Sequence, residues 1–555
     1  MSHVYYLIRE DVRAERNRAG LDYTPLYIPC LLAWMGISGE PIEAEAISSL
    51  TDDDVLLVGC EELDLALIAP GTGPGTVVLF GNGGMPPRSP GIKAFVTLWE
   101  EEIPLFVPLC GTRYSALSPG KILAWGRNTD EEGPVLPAIV RYDNLLDFRF
   151  DLPGTVWFAG DGFSDGEGKN GFFIGRTPDT RPLPPDMPMP YPYNDHLLFL
   201  LEDFLLSRGV LMFDRLPPAE DGGVPDFALH VSGDDDFTSA AFNLQAAARM
   251  SALGLPYHIN AMPGGERFII NREQAKELRD LGCELALHTD FTVQPYTPEG
   301  QAASCDLFAR WFGFRTRTGT NHCFIQAGMA AERLRWLGNC GIDADNGKLG
   351  EVDPADINAF NITGFSFGTS FPRYTLDDAE HGNVPLHTIE IPINYYEPRL
   401  GDGYNEPARI ESYVDRAAAD GRIAQFFCHP HYLSDENPHT PLTLAALRLA
   451  LNHADACGYK LLKTTTDRIA SFWQARSKAK ITPLTASEPG ETAVCTDTDV
   501  PLLLRLPAPH STQRLKVLLD GTEVPVVTKK RSTGLKFYVH IPEGEHRFVL
   551  ISSEL

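Results

Sequence analysis

The chain contains no run of about 18 consecutive apolar residues, the length that crosses a bilayer as a helix, so no helical membrane span is expected. It is poor in positive charge. Against 47 lysines and arginines stand 74 aspartates and glutamates, a formal net charge of −27. A chain without a basic field does not draw in nucleic acid or an anionic membrane surface, so neither is expected as a partner. Cysteine is sparse and scattered, ten in 555 residues, with no Cys-x-x-Cys pair. Cys30, Cys60, Cys110, Cys283 and Cys428 lie inside apolar runs, which fits buried reduced thiols better than a disulfide framework or a structural zinc site. The first residues, Met1 to Glu10, lack the basic start and long apolar stretch of a secretory signal. A cytoplasmic protein is the expectation.

What is present is the composition of a globular protein, 43% hydrophobic and 22% charged. At about 100–200 residues per domain, the length calls for three or four cores. Residues 1–120 read as an α/β unit with short branched strands at Val4 to Ile8, Val55 to Val58, Val77 to Phe80 and Leu105 to Leu109. Gly81-Asn82-Gly83-Gly84 reads as a turn, with a phosphate-type loop as the less favoured alternative. Residues 121–224 read as a β-rich extension, including Thr155 to Ala159. A proline-rich connector (Pro182 to Pro192) and a helix (His196 to Leu206) follow. Residues 225–480 alternate strands and helices over roughly 250 residues, the scale of a (β/α) barrel. In residues 485–555, evenly spaced short strands and the Asp520-Gly521 turn suggest a small β-sandwich.

The densest chemistry is Ser232-Gly233-Asp234-Asp235-Asp236-Phe237, directly after the apolar run Phe227 to Val231. A strand ending in three acids delivers them to the rim of a parallel sheet, where such folds keep their sites. Clustered anions repel unless a cation or a shared proton relieves them. The competing reading is a solvated Asp-rich turn that caps the next helix. His288, His322 and His429 also fall at the ends of apolar runs. Imidazole and carboxylate together suit a divalent transition metal, zinc first among them, with a position left open for water.

At these residues the segment from about 225 to 475 resembles the polysaccharide deacetylase (NodB-homology) family. That family's Thr-Phe-Asp-Asp-Gly motif matches Ser232-Gly233-Asp234-Asp235-Asp236. Its second motif begins as His288-Thr289 does, and its late Leu-x-Leu-His matches Phe426-Phe427-Cys428-His429. The resemblance implies a NodB-like barrel with Asp234 as general base and His429 as general acid. It implies Asp235 and His288 as metal ligands. Two departures stand out. Thr292 occupies the place of the family's second histidine, and the third motif is replaced by Arg315 to Cys323. His322 is therefore assigned as the substitute ligand. Asp290, Arg317, Asn321 and His431 are assigned to substrate contact, with His431 also the competing acid.

The N-terminal segment weakly resembles a flavodoxin-like, class I glutamine-amidotransferase-like domain, with Leu109-Cys110-Gly111-Thr112 where that family places its nucleophile. No Cys-His-Glu spacing follows, so a structural or ligand-binding role is favoured there. The expected whole is an α/β chain. A flavodoxin-like head, a catalytic NodB-like barrel and a β-sandwich tail follow one another, and a homo-oligomer is compatible with this. The expected activity is metal-dependent removal of an acetyl group from an N-acetylated sugar or related amide. The alternatives are hydrolysis of a non-sugar C–N bond on the same scaffold, or a catalytically inactive carbohydrate-binding protein.

Overall fold

The computed structural model describes residues 2–19, 23–59, 74–81, 93–105, 107–110, 120–129, 135–161, 192–236, 238–324, 330–347, 368–377, 379–401, 406–484, 491–509 and 513–554. Most of the Gly81 to Gly84 turn, Gly111-Thr112, Cys60, Phe237 and nearly all of the proline-rich connector lie outside them.

In the head, strands between Val4 and Phe148 form one nine-stranded sheet. Its parallel half runs Glu40–Ile42, Val4–Leu7, Val55–Gly59, Thr76–Phe80, Leu145–Phe148. Its other half is antiparallel: Leu136–Arg141, Lys121–Asn128, Ala94–Leu98, Glu101–Leu105. The strands after residue 120 thus complete the head's sheet instead of forming a separate extension. Two expectations are corrected. The strand expected at Leu105 to Leu109 is Glu101–Leu105, set by a two-residue turn at Trp99 and Glu100 with φ of +52° and +71°. Such a turn is usually announced by Asn-Gly, and here nothing announced it. Thr155 to Ala159 is not a strand but part of the helix Leu152–Asp161. Asp151 starts that helix by accepting the Gly154 N–H at 2.8 Å, and Pro153 sits in its first turn.

The central segment is a curled parallel sheet. Its strands are β1 (Phe227–Asp234), β2 (Tyr257–Ala261), β3 (Cys283–Thr289), β4 (Thr318–Asn321), β5 (Ala344–Asp345), β6 (Ile389–Glu390), β7 (Tyr395–Tyr396), β8 (Ile423–Phe427) and β9 (Leu461–Lys463). The spatial order is β6-β5-β4-β3-β2-β1-β8-β7, with β9 on the lower end of β1. The two edge strands are neighbours in the chain, four residues apart, so the sheet bends round on itself. Helices alternate with the strands. Arg272–Asp280 starts with the capping box read from the sequence: Asn271 Oδ1 accepts the Gln274 N–H at 2.9 Å, and Gln274 Oε1 accepts the Asn271 N–H at 3.0 Å.

Strand parity sorts the sheet's two faces. Leu229, Val231, Ile259, Leu285 and Leu287 join the apolar layer under the helices, with Ala246, Leu278 and Phe308. Each such side chain contributes about 1.5–3 kcal/mol by leaving water. The opposite face carries His230, Ser232 and Asp234 on β1, His258 and Asn260 on β2, Glu284 and His288 on β3, and Gln425 on β8. All but Glu284 are buried. The barrel is therefore polar inside. At mid-height Gln425 donates to Ser232 Oγ at 2.7 Å and to Asn346 Oδ1 at 3.1 Å.

The tail has two antiparallel sheets. One joins Lys480–Leu484, Glu491–Thr498, Gly544–Glu554, Gln513–Leu519 and Thr522–Val524. The other joins Met212–Phe213, Leu502–Leu506, Gly534–Ile541 and Val527–Arg531. It thus recruits strands that precede residue 485. The Asp520-Gly521 turn is left-handed at both residues, φ +49° and +81°.

Candidate metal and acid–base site

The carboxyl ends of β1, β3 and β8 bring acids and histidines together. Asp234 ends β1 and is buried. Its Oδ1 accepts from Asn260 Nδ2 at 2.8 Å, and its Oδ2 lies 3.5 Å from His288 Nε2. The next residue, Asp235, lies just past the end of β1. Asp235 Oδ1 accepts the Met262 N–H at 2.8 Å, and the residue is fully buried. Asp236 follows. With φ of +38°, its backbone is left-handed, and the carboxylate spans two imidazoles: Oδ1 lies 3.2 Å from His288 Nε2 and Oδ2 3.2 Å from His429 Nε2. Donor atoms of Asp234, Asp236 and His429 all lie within 4.8 Å of one another.

Gly233 allows β1 to run this close to β8. A Cβ at that position would sit 1.9 Å from the Cys428 carbonyl oxygen. That carbonyl also accepts the Tyr257 hydroxyl.

His429 follows β8 and is held from both sides. Its Nδ1 meets Glu397 Oε1, which also accepts the His429 backbone N–H at 2.9 Å. Glu397 is fully buried, just past β7, with φ of +47°. The rings of Phe427 and Tyr396 pack edge-on to His429, with centroids 5.1 and 5.8 Å away. His322, just past β4, has its ring 5.5 Å from that of His288 and its Nδ1 3.1 Å from Asp290 Oδ1.

The charges divide sharply. Burial raises the Asp234 carboxyl above its ordinary range, and the neighbouring Asp236 charge adds to this, against the pull of His288 and His429. Asp236 is also pushed up by burial, but hydrogen bonds from His288 and His429 outweigh that and hold it far below the usual carboxylate range. Burial opposes protonation of His429, yet the carboxylates of Asp236 and Glu397, bonded to its two ring nitrogens, raise it well above an ordinary imidazole. His322 is pushed up to about 9, first by its side-chain bond with Cys323, then by the charges of Cys323 and Asp236 and its bond with Asp290.

Of the residues singled out in the sequence, Asp234, His288, His322, His429 and Asp290 come together here. Asn321 is buried at the end of β4, in register with Thr289. Asp235 accepts the Met262 N–H through Oδ1. Arg317 precedes β4, at the opposite end of the barrel, and pairs with Asp343 at 2.5 Å. The His431 ring packs 5.7 Å from Phe242 and 5.3 Å from Tyr432, off the carboxylate cluster. Sequence reasoning missed Asp236 and Glu397. Strand parity pointed to Asp236, since it lies on the same face as Asp234. Nothing pointed to Glu397, because the two-residue strand before it is too short to read.

The donor set fits a divalent transition metal: two carboxylates and imidazole nitrogens converge from separate strands, and Asp236 already bridges two of the imidazoles.

No protein-family model and no curated protein matches the chain. Among solved structures it is similar to a putative polysaccharide deacetylase involved in O-antigen biosynthesis from Bordetella bronchiseptica. There the identity is 13%, with 45% of this chain and 90% of that one covered at a TM-score of 0.24. It is similar to a family 4 carbohydrate esterase from Streptomyces lividans, at 12% identity, 43% and 93% coverage and a TM-score of 0.24. A family 4 pseudoenzyme from Bacillus anthracis gives 10% identity, 45% and 67% coverage and a TM-score of 0.24.

Proposed function

We propose that the barrel is a metal-dependent hydrolase of an acylated amine, with an N-acetylated sugar as the first substrate class to test. The observation that carries this reading is the placement of Asp236 between His288 and His429, with the buried Asp234 beside them. Asp236 and His288, with His322 adjacent, would hold the metal, and Asp235 supports the turn through Met262. A bound divalent metal supplies Lewis acidity toward an acyl oxygen and lowers the pKa of water on it.

The chain's own residues handle the protons. Asp234 takes one at Oδ2 from the attacking water. Asn260 fixes its other oxygen, so the free edge of the carboxylate faces the histidines. His429 gives a proton from Nε2 to the departing amine. Glu397, on Nδ1, orients the ring and stabilises its charged form. Phe427 and Tyr396 pack edge-on beside that imidazole and limit its rotation.

The test compares wild type, Asp234→Asn and His429→Ala on acetylated amino sugars and on small non-sugar amides, each with zinc added. Turnover by wild type and a loss of about 10²–10⁴ in each variant is expected. Turnover of the small amides alone would move the substrate to a non-sugar C–N bond. Full activity in Asp234→Asn would discard the mechanism. Sugar binding without any turnover would leave a binding protein.

A further inference from the structure

A second group of ligand-type side chains lies inside the barrel at its lower end, and the chemistry above does not use it. We propose that His258, Glu284 and Asp467 form a second cation site, taking a divalent transition metal through one imidazole nitrogen and two carboxylates. Glu284 and His288 share a face of β3 four residues apart, so this site lies roughly 13 Å below the first at about 3.3 Å per residue.

Three separate elements supply the donors. His258 is the second residue of β2 and is fully buried, and Glu284 is in register with it on β3. Asp467 comes from the first turn of the helix Thr466–Lys478. One donor atom from each lies within 4.8 Å of the other two. His258 Nδ1 is 3.4 Å from Glu284 Oε2. Its Nε2 is 3.2 Å from Thr318 Oγ1, which donates to Asp467 Oδ1 at 2.6 Å. The Asp467 backbone N–H donates to Glu284 Oε2 at 3.2 Å.

An independent observation points to a ligand here. His230, four residues before Asp234 on β1, is 1% exposed. Its Nδ1 lies 3.4 Å from Thr466 Oγ1, next to Asp467. Its Nε2 has no hydrogen-bond partner among the described residues. A buried imidazole nitrogen without a hydrogen-bond partner costs free energy unless a ligand or water meets it. Imidazole with carboxylates is the donor mix of zinc and its neighbours, not of calcium or magnesium, which take oxygen alone. A cation here would tie the helix Thr466–Lys478, and through it the tail strand Lys480–Leu484, to the floor of the barrel.

The competing state is a protonated His258 paired with Glu284 and no metal. The test measures zinc per chain by mass spectrometry on the full chain after loading and gel filtration. Every chain carries His453→Ala, which removes the exposed Asp415–His453–Cys457 group as another taker of metal. Glu284→Gln and Asp467→Asn keep the shape of each side chain and should each hold one zinc fewer than the parent. Asp236→Gly/His288→Asn, which disables the upper site, should still hold one. The proposal is overturned if that double variant holds none, or if Glu284→Gln and Asp467→Asn hold as much as the parent. Zinc should also raise the melting temperature of the double variant, because it binds the folded state only. A flat melting temperature there counts against the site even if a lower-site variant fails to fold. Loss of the upper site's metal or of all hydrolysis leaves these outcomes unchanged, so the two readings fail separately.

Discussion

Replacing Glu397 by Gln removes one negative charge from the back of His429 and leaves the side-chain volume nearly unchanged. Glu397 makes two bonds to that residue, one to Nδ1 and one to the backbone N–H at 2.9 Å. A hydrogen bond to a charged group contributes about 1.5–3 kcal/mol. Losing the charged partner on Nδ1 should therefore lower the His429 pKa toward the ordinary imidazole value. The sign for stability follows from the same shift. The folded-state pKa of His429 lies above its ordinary 6.5. The pair's contribution is therefore complete below pH 6.5 and fades as pH rises through the folded pKa. The melting-temperature gap between wild type and Glu397→Gln should be widest near pH 6 and close toward alkaline pH. The assay is a histidine NMR titration, with His429→Gln to assign the resonance, beside melting curves across pH. An unmoved titration midpoint in Glu397→Gln, or a gap that widens with pH, would refute the reasoning.

Gly233→Ala should destabilise the chain by about 1–3 kcal/mol or more, because the new Cβ meets the Cys428 carbonyl oxygen at 1.9 Å; chemical denaturation reads the loss, and wild-type stability would show that β1 and β8 separate cheaply. Thiol titration of the denatured chain without reductant should find nearly all ten cysteines, since none of the nine described is in a disulfide; several protected thiols would overturn that.

Long periodic elements were legible in the sequence, and short strained ones were not. The helix Thr440–Ala456 and strands β1, β3 and β8 carry their own apolar pattern, and the Asn271 capping box announced its helix. Strands β5, β6 and β7 have two residues each, too few for any period. They complete the curled sheet and deliver Glu397. The same limit explains the missed turn at Trp99-Glu100. For Asp236 the loss was one of emphasis. Matching the motif residue by residue selects Asp235, whereas alternation along a strand groups Asp234 with Asp236. The left-handed backbone at Asp236 is one that glycine accepts without strain and other residues seldom adopt, so nothing in the residue type announced it.

A second set of bonds bears on how His322 is held. The hydroxyl and backbone N–H of Thr292 both donate to Asp290 Oδ1, at 2.5 and 2.9 Å. The same oxygen lies 3.1 Å from His322 Nδ1. Thr292 therefore anchors the carboxylate against which His322 is oriented, leaving the far nitrogen of that ring, Nε2, unconstrained by Asp290. A carboxylate on the distal nitrogen is the usual way a metal-binding histidine is fixed and made more basic. Glu397 does the same for His429, meeting its Nδ1 from a buried position just past β7. Two imidazoles of one sheet rim are thus each held by a buried carboxylate on Nδ1, Asp290 for His322 and Glu397 for His429, so each ring is oriented before any ligand arrives.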